Sequence, residues 1–409
     1  MVQTLPAVPA AAVRGLPSPR SRGLRLALAG IAAAFLAACQ PVGTGGTATG
    51  PVTGQLIDPR QPVPVALLVP GGSGNAELDS LGRSLANAAK MAAADAQGAT
   101  IDLRIYQTGG DAGQAAARAA EAIKAGAKII VGPLHADSAN AVGTLAKAAN
   151  VNVLSFSNNG EIAGGNVFTL GTGFNTIADR LVGYGVGKGK RRYMVVAEKD
   201  VADQIGARAI EAAVSRRSAV LAGKVQHEVS RASMDAVIPS VAAAAKAGQI
   251  DAVFVTANQA EVLPYLTGKL HDAGVTPSLA QLMGLTRFDE PAMRLSLPGV
   301  QEGIFALPDT ALRAQFEQRY QAAYGERPHA LAGLGYDGVS AIAALVRAGR
   351  KDALTSTALT RGAGFTGVNG VFRLRADGTT ERGLSVATVR NNQVVILDPA
   401  PRSFGGFGF

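Results

Sequence analysis

Reactive and metal-binding side chains are scarce in this sequence of 409 residues, which has one cysteine, four histidines and no tryptophan. A single cysteine excludes a disulfide framework and any thiolate metal cluster. The histidines, His135, His227, His271 and His329, lie far from one another and from Cys39, so the local zinc-binding spacings are absent. We therefore predict no cofactor and no metal, although a metal site assembled from distant residues stays open.

Charged residues are scarce as well. Asp, Glu, Lys and Arg make up 17% of the chain, and the formal net charge is +9. Four arginines lie within residues 1–38 without a single acid, so the rest of the chain has a surplus of only five positive charges. That surplus is spread without basic blocks, which argues against a nucleic-acid partner. No apolar run after residue 38 reaches the length of a transmembrane helix.

The N-terminus has the pattern of an export signal. Three arginines precede an apolar stretch from Leu26 to Ala38, and small residues lead up to a cleavage point. The sequence Leu36–Cys39, LAAC, resembles the lipobox of bacterial lipoproteins, which implies that residues 1–38 are removed and that Cys39 becomes an acylated membrane anchor. An ordinary signal that happens to contain a cysteine is the alternative. Gln40 follows the lipobox where aspartate favours the inner membrane, so the resemblance implies the outer membrane.

Two segments have the composition of flexible chain. Residues 39–61 are rich in Gly, Pro and Thr and almost uncharged, which predicts a tether that reaches about 25 Å on average. Residues 401–409, PRSFGGFGF, are predicted to form a flexible tail.

Between these segments, apolar runs with β-branched residues alternate with helical patterns. Pro64–Pro70 is predicted to be a strand and Glu77–Gln97 the helix that follows it. Continuous apolar strands of this kind are typical of a parallel sheet covered on both faces. The pattern stops after Ser155 and restarts with the strand Arg192–Ala197. We therefore predict an α/β fold with two doubly wound, Rossmann-like lobes that face a cleft.

Catalytic motifs are represented only by near misses. The turn after the first strand, Gly71–Gly74, lacks the last glycine of the nucleophile elbow, because Asn75 follows. The string GYGVGK, Gly183–Lys188, is one residue short of a phosphate-binding loop and ends a helix. Without a base and nucleophile in a recognisable pattern, we predict that the protein is not an enzyme.

The loops that follow the strands of the first lobe are polar and largely uncharged. Hydroxyls, amides and free N–H groups at helix N-termini suit an anionic or zwitterionic ligand. The same residue types are also ordinary helix caps and turns, which is the structural alternative for each of them. The candidate ligand-binding residues in these loops are Ser73, Asn75, His135, Ser138, Ser157, Asn158 and Asn159.

Two strings resemble a known family. IIVGPLHADSANAVGTLAKAANVNVLSFSNN (Ile129–Asn159) and the segment from Gly335 to Thr379 are similar to type I periplasmic binding proteins of the leucine/isoleucine/valine class. The resemblance implies three chain crossings between the lobes. Lobe 1 would comprise residues 62–175 and 308–364, and lobe 2 residues 176–307 and 365–400.

A narrower resemblance involves the C-terminal half. Leu285–Asp309, Phe316–Val339 and Arg382–Phe404 resemble lipoproteins called penicillin-binding protein activators, which share this fold and are thought to stimulate peptidoglycan synthases. This resemblance implies a non-enzymatic, lipid-anchored regulator with a peptidoglycan synthase as partner, and we prefer this function at this point. The alternative is a receptor for a small polar or amino-acid-like ligand that delivers it to the permease of an ABC importer.

The family resemblance also implies site residues. Amino-acid binders of this fold hold the α-carboxylate with Ser/Thr hydroxyls and backbone N–H groups of the third and fourth loops. This chain keeps Ser138 in the third loop and has Ser157 and Asn159 in the fourth, near where the family has Ala and Thr. They hold the ammonium with a Tyr and a Glu of lobe 2. Approximate matching places Asn258 or Gln259 at the Tyr and Thr286 at the Glu. A buried ammonium without a carboxylate is costly, so the replacement argues against amino-acid binding unless Asp289 or Glu290 substitutes.

Overall fold

A computed structural model describes residues 52–257, 259 and 261–404 of the chain. The predicted signal peptide, Cys39, most of the tether, Asn258 and residues 405–409 lie outside these described residues. None of the described helices is both long and apolar enough to cross a membrane.

The described residues form fifteen strands and ten α-helices. The strands are β1 Val63–Val69, β2 Ile101–Gln107, β3 Ile129–Val131, β4 Asn152–Ser155, β5 Val167–Thr169, β6 Arg192–Glu198, β7 Val220–His227, β8 Ala252–Val255, β9 Gln281–Gly284, β10 Ile304–Leu307, β11 Phe365–Gly367, β12 Gly370–Leu374, β13 Thr380–Arg382, β14 Ser385–Arg390 and β15 Gln393–Asp398. The helices are α1 Ala76–Ala94, α2 Ala112–Lys124, α3 Ala136–Ala148, α4 Phe174–Gly187, α5 Val201–Arg216, α6 Arg231–Lys246, α7 Val262–Asp272, α8 Thr310–Tyr324, α9 Ala332–Val346 and α10 Ser356–Leu359.

Two parallel sheets with helices on their faces confirm the predicted α/β fold. The sheet of lobe 1 has the order β2-β1-β3-β4-β5 and is parallel throughout. The sheet of lobe 2 has the order β15-β14-β10-β9-β8-β6-β7, in which β14 and β15 are antiparallel additions. The strands β3, β4 and β8 are buried along their whole length and β1 at all residues but Pro64, as expected for strands covered on both faces.

The helices of lobe 1 pack closely because small residues lie where they cross. A Cβ added at Gly335 of α9 would lie 2.4 Å from the backbone oxygen of Leu85 in α1. On either side of this contact, Leu81, Leu334 and Ile342 fill the core of lobe 1. The glycine therefore permits the approach of α9 to α1 that buries both apolar faces.

The third crossing between the lobes lies later than the sequence predicts. Phe365, Phe372 and Leu374 belong to the core of lobe 1, although residues 365–400 were expected in lobe 2. Leu384 is the first following residue in a core of lobe 2. The small antiparallel sheet β11-β12-β13 thus belongs to lobe 1, because its aromatic side chains find their apolar partners there.

The tether is also shorter than the predicted residues 39–61. Ile57 is only 6% exposed and lies in the core of lobe 1, and its N–H donates to the carbonyl of Lys351 at 2.9 Å. Thr53 donates its hydroxyl to Asn152 Oδ1 at 2.6 Å. In the predicted tail, the ring of Phe404 lies 4.7 Å from the Arg373 guanidinium.

Candidate ligand-binding cleft

A cavity of about 540 Å³ lies between the two lobes. Its walls come from the loops that follow β3, β4 and β5 of lobe 1, and from the carboxyl ends of β9 and β10 of lobe 2. The carboxyl ends of parallel strands meet at one edge of each sheet, so the two lobes present these loops to each other. A cavity of this size accommodates a small organic molecule.

The wall from lobe 1 carries four of the predicted residues. His135 precedes α3, and its Nδ1 lies 3.1 Å from the carbonyl oxygen of Gly110. Ser157 Oγ accepts from the backbone N–H of Asn159 at 3.1 Å, and Asn159 Oδ1 accepts from the N–H of Glu161 at 2.9 Å. Asn158 is exposed on the cavity wall. These contacts hold the loop in shape and leave the His135 Nε2 edge and the Asn158 amide to meet a ligand.

The opposite wall carries two guanidinium groups around one carboxylate. Arg287 Nη1 lies 2.8 Å from Glu290 Oε1, and Arg287 also forms two hydrogen bonds with Asp289, at 2.9 and 2.6 Å. Arg313 of α8 lies 3.9 Å from the same Glu290 oxygen and 2.8 Å from Glu317. Burial acts to lower the pKa of Arg287, but Asp289 and its neighbours outweigh it, so the pKa is raised. The Arg287 guanidinium therefore stays charged.

A third arginine of the lining, Arg382 of β13, is buried in an ion pair. Arg382 and Asp337 are joined with an Nη1–Oδ2 distance of 2.7 Å, and their side chains are 1% and 0% exposed. Arg382 Nη2 donates to the carbonyl of Leu170 at 3.1 Å, and the guanidinium lies 4.8 Å from the ring centre of Phe372. The pair therefore joins α9, the segment after β5 and β13, all within lobe 1.

The remaining wall is largely apolar. It is formed by Leu134, Phe156, Ile177, Leu285, Leu307, Pro308, Leu331, Leu334 and Leu384. The lining contains three arginines and one acidic residue, Glu290, which is itself paired with Arg287. A ligand can reach the guanidiniums of Arg287 and Arg313, whereas the Arg382 side chain is only 1% exposed and is paired with Asp337. Such a cavity suits a ligand with an anionic group and an apolar body, because guanidinium binds carboxylates in a fixed geometry.

Comparison with known proteins identifies the family. Residues 62–393 match the periplasmic binding protein family. The chain belongs to this family. Its membership places the protein among periplasmic, ligand-binding proteins, and the resemblance to the leucine/isoleucine/valine class is confirmed at the level of fold.

Many solved structures share the fold of this periplasmic binding protein. One from Rhodospirillum rubrum, assigned to a branched-chain amino acid ABC transporter, is 18% identical, covers 82% of this chain and 100% of its own, and has a TM-score of 0.69. A Desulfitobacterium hafniense substrate-binding protein in complex with Leu is 16% identical (82% and 100% covered, TM-score 0.61). A solute-binding protein from R. palustris in complex with benzoate is 16% identical (85% and 99% covered, TM-score 0.56). No curated protein matches the sequence.

The other predicted residues that the structure describes, Ser73, Asn75, Ser138 and Thr286, lie apart from the cavity lining of this periplasmic binding protein. Asn75 caps α1 by accepting from the N–H groups of Glu77 and Leu78, and Ser73 donates its hydroxyl to Asp79 at 2.9 Å. Ser138 is 2% exposed within α3. Thr286 donates its hydroxyl to the carbonyl of Ala257 at 2.9 Å. Ser73 and Asn75 thus hold the turn before α1, Thr286 contacts the backbone of Ala257, and Ser138 is buried in its helix. Their contact with a ligand stays a prediction.

Sequence reasoning missed the three arginines of the cavity. Arg287 directly follows Thr286, so its position just after β9 was the only local indication that it belongs to the site. Arg313 is one of several charged residues on α8, and nothing in its spacing separates it from the others. Arg382 meets Asp337 because the small sheet β11-β12-β13 packs against α9 of lobe 1, which no local pattern reveals.

Proposed function

We propose that this periplasmic binding protein is the receptor of an ABC importer for a small carboxylate with an apolar body. The observation that carries the proposal is the interlobe cavity, in which the guanidiniums of Arg287 and Arg313 lie on either side of Glu290, beside a largely apolar wall. A carboxylate placed between Arg287 and Arg313 would compete with Glu290 for both cations.

The ligands of two proteins with this fold support the chemistry. One is bound to Leu and the other to benzoate, and both ligands combine a carboxylate with an apolar body. They have the dimensions that a cavity of 540 Å³ admits.

The cavity is less suited to an ammonium group. Glu290 is the only acidic side chain in the lining of the described cavity, and Arg287 already lies 2.8 Å from it. An ammonium at Glu290 would have to displace this guanidinium or remain unpaired in a partly dry site, which is unfavourable. We therefore place simple and 2-oxo carboxylates ahead of the corresponding amino acids.

A panel of three related compounds tests the proposal by thermal unfolding. Leucine has both charged groups, 4-methyl-2-oxopentanoate lacks the ammonium, and isopentylamine lacks the carboxylate. A ligand at about 100 times its Kd stabilises by about 2.7 kcal/mol, which is about 4 °C for a chain of this size. We expect this shift with the oxo acid, a smaller one with leucine and none with the amine. A shift with the amine alone would contradict the proposal.

We retain the lipid anchor at Cys39 as part of the proposal, on the strength of the lipobox alone. The importer replaces the peptidoglycan-synthase regulator as the preferred function, because the fold neighbours named above are transport receptors. Retention at the outer membrane rests on Gln40 alone and stays a prediction.

A further inference from the structure

A cluster of three carboxylates lies at the edge of lobe 2, outside the cavity. Glu198 ends β6, Asp200 precedes α5 and Asp203 lies in its first turn. One carboxylate oxygen from each lies within 4.8 Å of the others, and Glu198 and Asp203 are only 3% and 1% exposed. No ion pair among the described residues includes any of the three; the neighbouring Lys199 pairs with Glu228 instead. The cluster therefore lacks a counter-charge.

Three buried oxygens of this region also lack hydrogen-bond partners. They are Glu198 Oε2, Asp203 Oδ2 and the hydroxyl of Thr256, which is 1% exposed and lies beside the Asp203 carboxylate. The other oxygens are partly satisfied, since Gln259 Nε2 donates to Glu198 Oε1 and the N–H of Asp203 donates to Asp200 Oδ1, both at 2.8 Å. Leaving buried polar oxygens unpaired costs about 1–3 kcal/mol each, and a bound cation would offset this cost.

We propose that Glu198, Asp200 and Asp203 bind a calcium ion, with the Thr256 hydroxyl as a fourth protein ligand. Calcium binds oxygen at about 2.3–2.6 Å, so two of its ligands can lie as far apart as about 5 Å, which the separations in this cluster satisfy. Magnesium requires about 2.0–2.1 Å and a stricter octahedron. The donor set contains only oxygen, which disfavours zinc and copper.

The alternative occupant of the cluster is a proton. Burial raises the pKa of Asp203 to about 7, and burial also raises the pKa of Glu198.

The cluster lies at the same sheet edge as the cavity. Thr256 follows β8, and the neighbouring strand β9 leads to Leu285 and Arg287 of the cavity wall. Helix α5, which begins in the cluster, carries Arg208, and its guanidinium lies 3.4 Å from Glu161 of lobe 1. A bound ion would thus fix the start of a helix that contacts the opposite lobe. This inference goes beyond the proposed function and does not depend on it.

Isothermal titration of the metal-free chain with calcium chloride at pH 8 tests the proposal. We expect one ion per chain, at least tenfold weaker binding to Asp203→Asn, and unchanged binding to Glu211→Gln, a control on the same helix that pairs with Lys224. The metal-free Asp203→Asn protein should unfold at or above the temperature of the wild type, because a buried charge is removed. If that variant does not fold, Glu198→Gln takes its place.

Three outcomes would overturn the proposal. The first is the absence of any calcium heat at millimolar concentration and pH 8, which would assign the cluster to a proton. The second is equal binding by Asp203→Asn and the wild type. The third is tighter binding of magnesium than of calcium, which would contradict the choice of ion.

Discussion

The buried ion pair between Asp337 and Arg382 gives the sharpest test of what holds the small sheet β11-β12-β13 to α9 in lobe 1. Asp337→Asn keeps the shape of the side chain and an oxygen for the N–H of Val368, which donates to Asp337 Oδ1 at 2.7 Å. The change removes the negative charge and leaves Arg382, with a side chain 1% exposed, without its partner. The change also removes the acceptor Oδ2, to which Arg382 and Asn369 donate, so the pair loses both its charge balance and a hydrogen-bond acceptor.

The expected loss is large because neither side chain has access to water. Removing one partner of a buried ion pair costs about 3–5 kcal/mol. With an unfolding entropy of about 2.1 cal/mol/K per residue, this corresponds to a fall in Tm of about 4–7 °C for this chain. Replacing both partners by apolar residues, Asp337→Leu with Arg382→Met, should return most of the loss, since no uncompensated charge remains.

Differential scanning calorimetry of the four proteins measures this prediction. Asp352→Asn is the control, because Asp352 and Arg350 form an exposed pair at 2.7 Å with side chains 42% and 69% exposed. Exposed pairs contribute about 0–1 kcal/mol, so the control should unfold within about 1 °C of the wild type. A Tm of Asp337→Asn within that same range would refute the reasoning.

Three further predictions concern the stability and location of the protein. Asp251 has a pKa lowered from 3.8 to about 2, chiefly by its hydrogen bond with Arg192, so its contribution to stability is present above about pH 4 and is lost as the pH falls towards 2. Asp251→Asn should therefore cost about 1–2 kcal/mol at pH 7, after allowance for partial exposure, and nothing at pH 2. An equal effect at both pH values in urea titrations would contradict this. Gly335→Ala should cost about 1–3 kcal/mol of stability because the new Cβ would meet the Leu85 carbonyl. Gly268→Ala in α7, where the new Cβ would have open space around it, should instead stabilise by up to about 1 kcal/mol. Thermal melts of the two variants that shift in the same direction would exclude the close-contact argument. Cys39→Ser should release the protein into the soluble periplasmic fraction, and its continued recovery with membranes would rule out the anchor.

The regular part of the fold could be predicted from the sequence because its signals are local. The apolar strand β1 and the helical spacing of α1 are visible within windows of seven to twenty residues. The strand β5 has only three residues, Val167–Thr169, too few for a period to emerge. The position of the third crossing depends on which core receives Phe365 and Phe372, and that choice is made by tertiary packing.

The candidate site could be predicted only in part for the same reason. The loops after β3 and β4 were expected to face the cleft, and His135 and residues 157–159 do line it. Ser73 and Ser138 lie in polar segments of the same kind. In the structure, however, Ser73 donates its hydroxyl within a turn and Ser138 is buried in a helix. The arginines of the lining, Arg287, Arg313 and Arg382, lie far apart in the sequence, and only the tertiary fold brings them together.

The most direct test of the central claim is isothermal titration of 4-methyl-2-oxopentanoate into the wild type, Arg313→Gln and Arg319→Gln. Arg319 lies on the same helix as Arg313 but pairs with Asp95 at 2.6 Å, outside the cavity lining. We predict one binding site in the wild type, a loss of about 10- to 100-fold in affinity for Arg313→Gln, as expected for a charged hydrogen bond, and wild-type affinity for Arg319→Gln. Equal affinity in all three proteins, or no binding of this acid, leucine or benzoate to the wild type, would contradict a carboxylate receptor.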